Sequence, residues 1–271
     1  MSEELETLRR DGFCIARGLL PKADVTATLD SVHRTIRDQL REIGATASGN
    51  DLHGALRALH AADIERYKRV LGALWRKAEV SGLMRHPALF GFLREAFGWT
   101  DVFLPGGEVA LLMAADLKIP GGYFGLGAHQ DFPSVQGSLD GVVAWIPLTD
   151  VDRDGWPVEV IPGSHRRGLI TDVDQTRNGW EIRPEALGDA EWRPVEAKAG
   201  DVVFLSVFTV HRSRREGDPA RLRLALSTRF DNAAEPTFVG RAYPTAYQRT
   251  VHRDQYVADF PTPEQIRALF G

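Results

Sequence analysis

The chain has one cysteine, Cys14, among 271 residues. A single cysteine cannot form an internal disulfide, and it excludes a cysteine-rich zinc site. The net charge is −4, and the sequence has no extended cluster of basic residues, so nothing favours nucleic acid as a partner. No apolar run approaches the length that spans a membrane. The acidic opening, Met-Ser-Glu-Glu-Leu-Glu, lacks the apolar core of a signal peptide, so we expect a protein of the reducing cytoplasm.

The composition is otherwise that of an ordinary globular protein, with 43% hydrophobic and 26% charged residues. Internal repeats, low-complexity tracts and linker-like segments are missing. We therefore expect one domain over residues 1–271. Within it, 1–98 is a mainly helical cap, 99–240 is a β core with an insertion at 171–194, and 241–271 is a tail with a short helix.

The first third of the chain carries helical patterns. After Pro21, apolar residues recur every three or four positions up to Gly44, which predicts an amphipathic helix. A second helical stretch begins after Asp51, with a break near residues 60–63. A third runs over residues 86–97, where His86 precedes a proline and is expected to cap the helix or to face solvent rather than to bind metal.

The pattern changes at about residue 99. Runs of β-branched and aromatic residues alternate there with Gly, Pro and Asp clusters, which is typical of strands. These runs cover residues 102–104, 108–114, 141–148, 157–161, 201–210 and 222–230. Since no helices separate successive strands, the pattern predicts a mainly β core rather than a doubly wound parallel sheet.

Two later segments have separate interpretations. The polar stretch at 171–194 holds Trp180 and is expected to lie over the mouth of the β core as a binding loop. Near the end, Thr262 and Gln265 have the spacing of a capping box for a short helix that begins at Pro263.

The segment from Gly127 to Phe132 is the strongest candidate for a functional site. His129 and Asp131 are two residues apart, so in an extended segment their side chains leave the same face. His211, after a distant apolar run, would complete a set of two imidazoles and one carboxylate. Such a set, with the opposite face of the metal open, is used by non-haem Fe(II) oxygenases.

A His-x-Asp pair is a weak motif by itself, and His252-Arg253-Asp254 matches it too. That second pair has no histidine after it and charged neighbours, so we interpret it as a solvated loop. His211 could instead be a buried histidine at a strand end. His165 is expected to be structural, and the arginines at 212, 214 and 215 to form a solvated turn.

Taken together, the motifs resemble the phytanoyl-CoA dioxygenase (PhyH) family of Fe(II)/2-oxoglutarate-dependent oxygenases. Five pieces in the right order carry the resemblance: Asp11-Gly12-Phe13 with Arg17-Gly18-Leu19-Leu20, His129-Gln130-Asp131, Trp145-Ile146-Pro147-Leu148 with Pro162-Gly163-Ser164-His165, Ala199-Gly200-Asp201 with His211 and Ser213, and Arg223-Leu224-Ala225-Leu226-Ser227. The resemblance implies a double-stranded β-helix (jelly roll, cupin-like) core with N-terminal helices on one sheet.

The resemblance also implies a site. Its metal ligands for Fe(II) are His129, Asp131 and His211. Its contacts to the co-substrate 2-oxoglutarate are Arg223, Ser213, Gln130 and Trp145. For Trp145, a role in core packing alone is as good an interpretation as contact with the co-substrate. The implied reaction consumes O2 and releases succinate and CO2.

The remote carboxylate of 2-oxoglutarate needs a planar, permanently charged partner, and the fork of an arginine supplies it. We assign this role to Arg223. Arg221 lies two residues earlier, on the same face of the expected strand, and is the second candidate. Ser213, two residues past His211, can add a hydroxyl. Because halogenating relatives replace the ligand carboxylate with a small residue, Asp131 argues against halogenation.

The leading hypothesis is a dioxygenase that hydroxylates a small molecule, possibly in secondary metabolism. Epimerisation, desaturation and cyclisation by the same iron chemistry stay open. A metal-dependent hydrolase or isomerase has no need of the arginine clamp, and a binding protein without catalysis would not need an intact ligand set. The sequence identifies neither the substrate nor the oligomeric state, and nothing in it marks a CoA site.

Overall fold

The computed structural model describes residues 2–47, 49–119, 124–174, 181–243 and 262–270. Its strands are β1 (Phe13–Ala16), β2 (Val102–Phe103), β3 (Val109–Met113), β4 (Val142–Pro147), β5 (Val158–Val160), β6 (Val173–Asp174), β7 (Glu181–Ile182), β8 (Arg193–Val195), β9 (Val202–Ser206), β10 (His211–Ser213) and β11 (Arg223–Asn232). Its α-helices are α1 (Glu3–Asp11), α2 (Lys22–Glu42), α3 (Leu52–Ala62), α4 (Ile64–Ala73), α5 (Ala78–Met84), α6 (Pro87–Phe97), α7 (Phe132–Val135), α8 (Pro184–Leu187), α9 (Pro236–Gly240) and α10 (Pro263–Phe270).

Two antiparallel sheets form the core. The larger has the order β1-β9-β4-β11-β2, and β3 also pairs with β11; the smaller has the order β10-β5-β8. Side chains from both sheets share one apolar cluster, so the sheets pack on each other. This is the jelly-roll architecture, and the predicted fold class is confirmed.

Strand β4 shows why the larger sheet lies in the middle of the molecule. Val143 and Trp145 belong to the cluster between the sheets, whereas Val142, Ala144 and Ile146 belong to the cluster shared with the helices. Alternate side chains leave opposite faces of a strand, so both faces of β4 are buried. Because both of its faces are buried, the sequence of β4 is a near-continuous apolar run.

The helical predictions for the first third are confirmed with small shifts. The apolar stripe becomes α2, with Pro21 as its N-cap residue rather than its first helical residue. Asp63 makes the break between α3 and α4: its N–H donates to Leu59 O, and its side chain accepts from Arg66 N. His86 caps α6, because its Nδ1 accepts from Ala88 N at 3.1 Å.

The structure differs from the sequence prediction in several places. Helices α1 and α5 were not predicted, since α1 buries only Leu8 and α5 is a short segment of seven residues. The prediction of one strand over residues 201–210 is wrong at its C-terminal end. These residues form β9 and then a turn in which Thr209 N donates to Ser206 O. The next strand, β10, joins the other sheet.

The described part of the insertion contains β6, β7 and α8, and Trp180 lies outside the described residues. Ile182 N of β7 donates to Ala128 O at 2.7 Å, so the insertion is tied to the segment that carries His129. At the C-terminal end, Thr262 and Gln265 form the predicted capping box of α10. None of the described helices combines the length and apolarity needed to cross a membrane.

Candidate metal centre

Backbone pairing brings the two candidate histidine ligands together. His129 N donates to His211 O and His211 N donates to His129 O, each at 3.0 Å, so the two residues form an antiparallel bridge. Their ring centroids are 4.1 Å apart. Residues 82 positions apart in the sequence are thus direct neighbours, as the ligand prediction required.

Each imidazole is held by its Nδ1 atom. His129 Nδ1 lies 2.8 Å from Gly127 O, and His211 Nδ1 lies 3.0 Å from Thr209 O. A carbonyl only accepts, so each Nδ1 carries the proton and each Nε2 presents a lone pair. Histidine ligands of protein-bound metals are oriented in this way.

Asp131 completes the group at the start of α7 and is bound by Arg229. Arg229 Nε and Nη2 donate to Asp131 Oδ1 at 3.2 and 2.7 Å. Its Nη1 donates to Gly107 O. Burial by itself would raise the pKa of Asp131, but the Arg229 guanidinium holds it well below its usual range. The carboxylate is therefore ionised and fixed through one oxygen.

The residues fit a divalent metal ion. One ligand atom from each of His129, Asp131 and His211 lies within 4.8 Å of the others, and all three residues are buried. Asp131 Oδ2 is 3.2 Å from His211 Nε2 but has no hydrogen-bond partner among the described residues. With the His211 proton on Nδ1, two lone pairs face each other there, an arrangement that a cation stabilises.

The protonation state of His129 also suits a ligand. Burial lowers the pKa of His129 to about 4. The imidazole is neutral at neutral pH and does not have to lose a proton when a metal binds.

A narrow cavity beside the three ligands collects the predicted co-substrate residues. His129, His211, Ser213, Trp145 and Arg223 all line it. Arg223 is 1% exposed, its Nη1 donates to Trp156 O at 2.8 Å, and its guanidinium lies 5.7 Å from the Trp145 ring centroid. The guanidinium thus lies inside the barrel, where the prediction requires it.

Ser213 lies on the ligand side of the same cavity. Its Oγ accepts from Leu126 N at 3.2 Å, which leaves its proton for a donated bond. A Cβ on Gly125, at φ +77°, would come within 2.6 Å of Ser213 Cβ. Only glycine lets the backbone approach Ser213 this closely.

Two candidate contacts are corrected by the structure. Gln130 is directed away from the metal ligands: its Nε2 donates to Gly168 O and Phe208 O, and its Oε1 accepts from Ile170 N. It ties loops together and is not among the residues that line the narrow cavity. Arg221 precedes β11 and pairs with Asp152 instead, and it does not line the narrow cavity with Arg223.

The arginine cluster after His211 was predicted as a solvated turn, and this was wrong for two of its members. Arg212 and Arg214 both pair with the buried Glu159, at 2.8 and 3.1 Å. Arg212 also lies 4.0 Å from the ring centroid of Trp192. His165 is structural, as predicted, with its Nε2 3.0 Å from Arg9 O.

Arg229 is the site residue that the sequence analysis missed. It follows Arg223 by six positions on β11, so the two arginines share the inner face of one strand. A charged residue at an even spacing within an otherwise apolar run was the available signal. The second pair, at His252 and Asp254, lies outside the described residues.

Known proteins resemble this chain in sequence and in fold. The profile of the phytanoyl-CoA dioxygenase (PhyH) family matches residues 8–221. Over 109 residues the chain is 30% identical to the methylphosphonate hydroxylase of Gimesia maris, a match that spans 40% of this chain and 40% of that relative's length.

Two solved structures share the architecture. The non-heme alpha ketoglutarate dependent carbocyclase SnoK from nogalamycin biosynthesis has a TM-score of 0.57 at 18% identity, covering 93% of this chain and 94% of its own. The epimerase SnoN, in complex with Fe3+, alpha ketoglutarate and nogalamycin RO, has a TM-score of 0.56 at 20% identity, covering 92% and 91%. At these identities the likeness shows a common fold.

Proposed function

The chain belongs to the phytanoyl-CoA dioxygenase family of Fe(II)/2-oxoglutarate-dependent oxygenases, and from this premise we propose that it hydroxylates a small organic molecule. In this proposal His129, Asp131 and His211 hold the iron. Arg223 and Ser213 receive the remote carboxylate of 2-oxoglutarate. A reducing cytoplasm, which keeps iron ferrous, suits this chemistry.

The observation that carries the proposal is the joint geometry of the three buried ligands. Two Nε2 lone pairs and one carboxylate oxygen converge, while the other atoms of the same side chains are bound to the protein. Three protein ligands leave positions open for a bidentate keto acid and O2.

Iron and 2-oxoglutarate, when bound, would allow O2 to oxidise the substrate, with 2-oxoglutarate giving the other two electrons that O2 takes up and leaving as succinate and CO2. The protein's own part is positioning. Gly127 O and Thr209 O hold the imidazoles, and Arg229 fixes the carboxylate. Arg223 offers a buried, permanently charged fork to a dicarboxylate that is drawn out of water.

Trp145 contributes a wall beside the clamp. Its ring faces the Arg223 guanidinium, and the residue is buried in the cluster between the sheets. Trp145 packs in the core and also lines the narrow cavity, which supports a part for it beside the proposed co-substrate.

The alternatives fit the site less well or begin with the same step. A hydrolase has no use for a buried arginine such as Arg223 beside the ligands, and a binding protein has no use for three converging ligand atoms. Epimerisation, desaturation and cyclisation start, like hydroxylation, with removal of a hydrogen. Product analysis with a turned-over substrate separates these outcomes.

Anaerobic reconstitution with Fe(II) and 2-oxoglutarate tests the proposal. The wild-type protein should develop a weak visible metal-to-ligand charge-transfer band. Arg223→Gln should require far more 2-oxoglutarate for the same band but still bind metal, and His211→Ala should not retain iron. Absence of the band in wild type, or an unchanged 2-oxoglutarate requirement in Arg223→Gln, would overturn the assignment.

A further inference from the structure

A second, larger cavity adjoins the metal ligands. Its volume is about 600 Å³, and His129 and Asp131 form part of its wall. The rest of the wall comes from α4 and the turn after it, from the edge strand β3, and from the segments that flank residues 120–123. A molecule in this cavity would therefore lie directly against the reacting centre.

The wall of this cavity is mostly aliphatic and aromatic. Leu71 and Trp75 contribute on the helical side, Leu112 on the strand side, and Leu117 and Phe124 on the remaining side. Pockets of 300–1,000 Å³ with apolar walls and a few polar groups bind drug-sized organic ligands. The volume and the lining both suit a substrate of that size.

The charged side chains in the wall are already paired within the protein. Lys68 Nζ lies 2.6 Å from Glu65 Oε1, and Glu108 is paired with Arg85. The other two, Arg229 and Asp131, pair with each other. The Lys68–Glu65 pair is exposed and weak. The buried side chains of Glu108, Arg229 and Asp131 are not, so an ionic substrate would have to displace an internal partner from them, and its own charge would lose water without compensation.

We propose that this cavity is the substrate site and that it takes a neutral, largely apolar organic molecule of drug-like size. The inference rests on the proposed function and narrows its substrate class. It also separates this chain from the methylphosphonate hydroxylase that it resembles. Methylphosphonate is an anion of a handful of heavy atoms, which would leave most of an apolar cavity unfilled.

Gly72 gives a way to fill the cavity without breaking the fold. It is an exposed residue of α4 that lines the cavity, and a Cβ placed there meets no atom within 4 Å among the described residues. A larger side chain at this position is expected to fit the helix, since glycine is the poorer helix former. Gly91 of α6 is a matched control, because its Cβ also meets no described atom within 4 Å and it does not line the cavity.

The experiment uses a neutral apolar fluorophore, N-phenyl-1-naphthylamine, titrated into the metal-free protein and into the anaerobic Fe(II)/2-oxoglutarate complex. We expect binding to wild type in the micromolar range and a perturbation of the charge-transfer band. Affinity should fall in the order wild type, Gly72→Leu, Gly72→Trp, by about tenfold for the last, with Gly91→Leu unchanged. Methylphosphonate should neither displace the fluorophore nor perturb the band.

Three results would overturn the inference: no binding of the fluorophore to wild type, equal affinity in wild type and Gly72→Trp, or a band that responds to methylphosphonate and not to the fluorophore. Failure of the proposed function is distinguishable from these. It would remove the charge-transfer band from the wild-type protein, while fluorophore binding to the metal-free protein would still be measured.

Discussion

Arg229 binds Asp131 through one carboxylate oxygen and leaves the other directed at His211. Its Nη2 is 2.7 Å from Asp131 Oδ1, whereas Asp131 Oδ2 is 3.2 Å from His211 Nε2. The arginine therefore selects which oxygen faces the ligand group. It also supplies a buried positive charge that keeps this carboxylate ionised.

Replacing Arg229 should weaken metal binding. Loss of a group that orients a ligand typically costs roughly 10- to 100-fold in metal affinity. We expect a loss of that size in Arg229→Gln and a smaller one in Arg229→Lys, measured by titrating Co(II) into the metal-free protein. Arg223→Gln is the matched control, a buried arginine of the same strand whose loss should leave Co(II) affinity unchanged. If Arg229→Gln bound Co(II) as tightly as wild type, Asp131 would not need Arg229 in order to bind metal.

Removing the carboxylate should turn the site into an anion site. In Asp131→Gly the metal gains an open position and Arg229 loses its ligand partner, so an external anion can bridge the two. We expect azide or chloride to shift the visible spectrum of the Co(II) form of Asp131→Gly at concentrations that do not affect wild type. The double variant Asp131→Gly/Arg229→Gln should lose most of this response. If the anion shifted the spectra of the single and the double variant equally, Arg229 would have no part in binding the anion.

Changes at Gln130 should affect stability and not the co-substrate. Gln130→Ala leaves three half-buried backbone groups without their partner, and each such group costs about 1 kcal/mol, the low end of the range for fully buried groups. We expect about 3 kcal/mol of lost unfolding free energy in urea, with 2-oxoglutarate affinity within twofold of wild type. Gln130→Glu, which places an acceptor oxygen against the carbonyls of Gly168 and Phe208 and buries a charge, should lose at least as much stability. A large fall in 2-oxoglutarate affinity at unchanged stability would restore the role that the sequence predicted.

Asp231 should make stability depend on pH. Burial raises its pKa to about 6, above the value of about 3.9 in an unfolded chain. The folded state therefore binds the proton more tightly, so the stability from this group is complete below about pH 4 and is lost as pH rises through 6. A shift of two pKa units corresponds to at most about 3 kcal/mol.

Asp231→Asn removes this ionisation and keeps an oxygen for the bond from Ser138 N, which lies 2.9 Å from Asp231 Oδ1. Urea unfolding at pH 5 and pH 7.5 should show wild type losing stability relative to the variant at the higher pH. The opposite trend, or parallel curves, would mean that Asp231 is ionised in the folded protein without cost.

The sequence by itself predicted most of the helices and strands and named the candidate metal ligands. Periodicity predicted α2 and the break at Asp63, because apolar spacing and local capping are properties of neighbouring residues. It also indicated His129, Asp131 and His211 together, since the motifs around them follow the order of a known family. The strand that carries Arg223 was predicted from its β-branched and apolar run.

Only the tertiary structure decided how the polar side chains are used. The partner of Asp131 is Arg229, 98 positions away, and the partners of Gln130 lie 38 to 78 positions away. The direction in which a side chain points within the barrel depends on strand register and on where the chain crosses from one sheet to the other, as it does between β9 and β10. These are long-range properties, so the local pattern could place a residue on a strand but could not say what its side chain would touch.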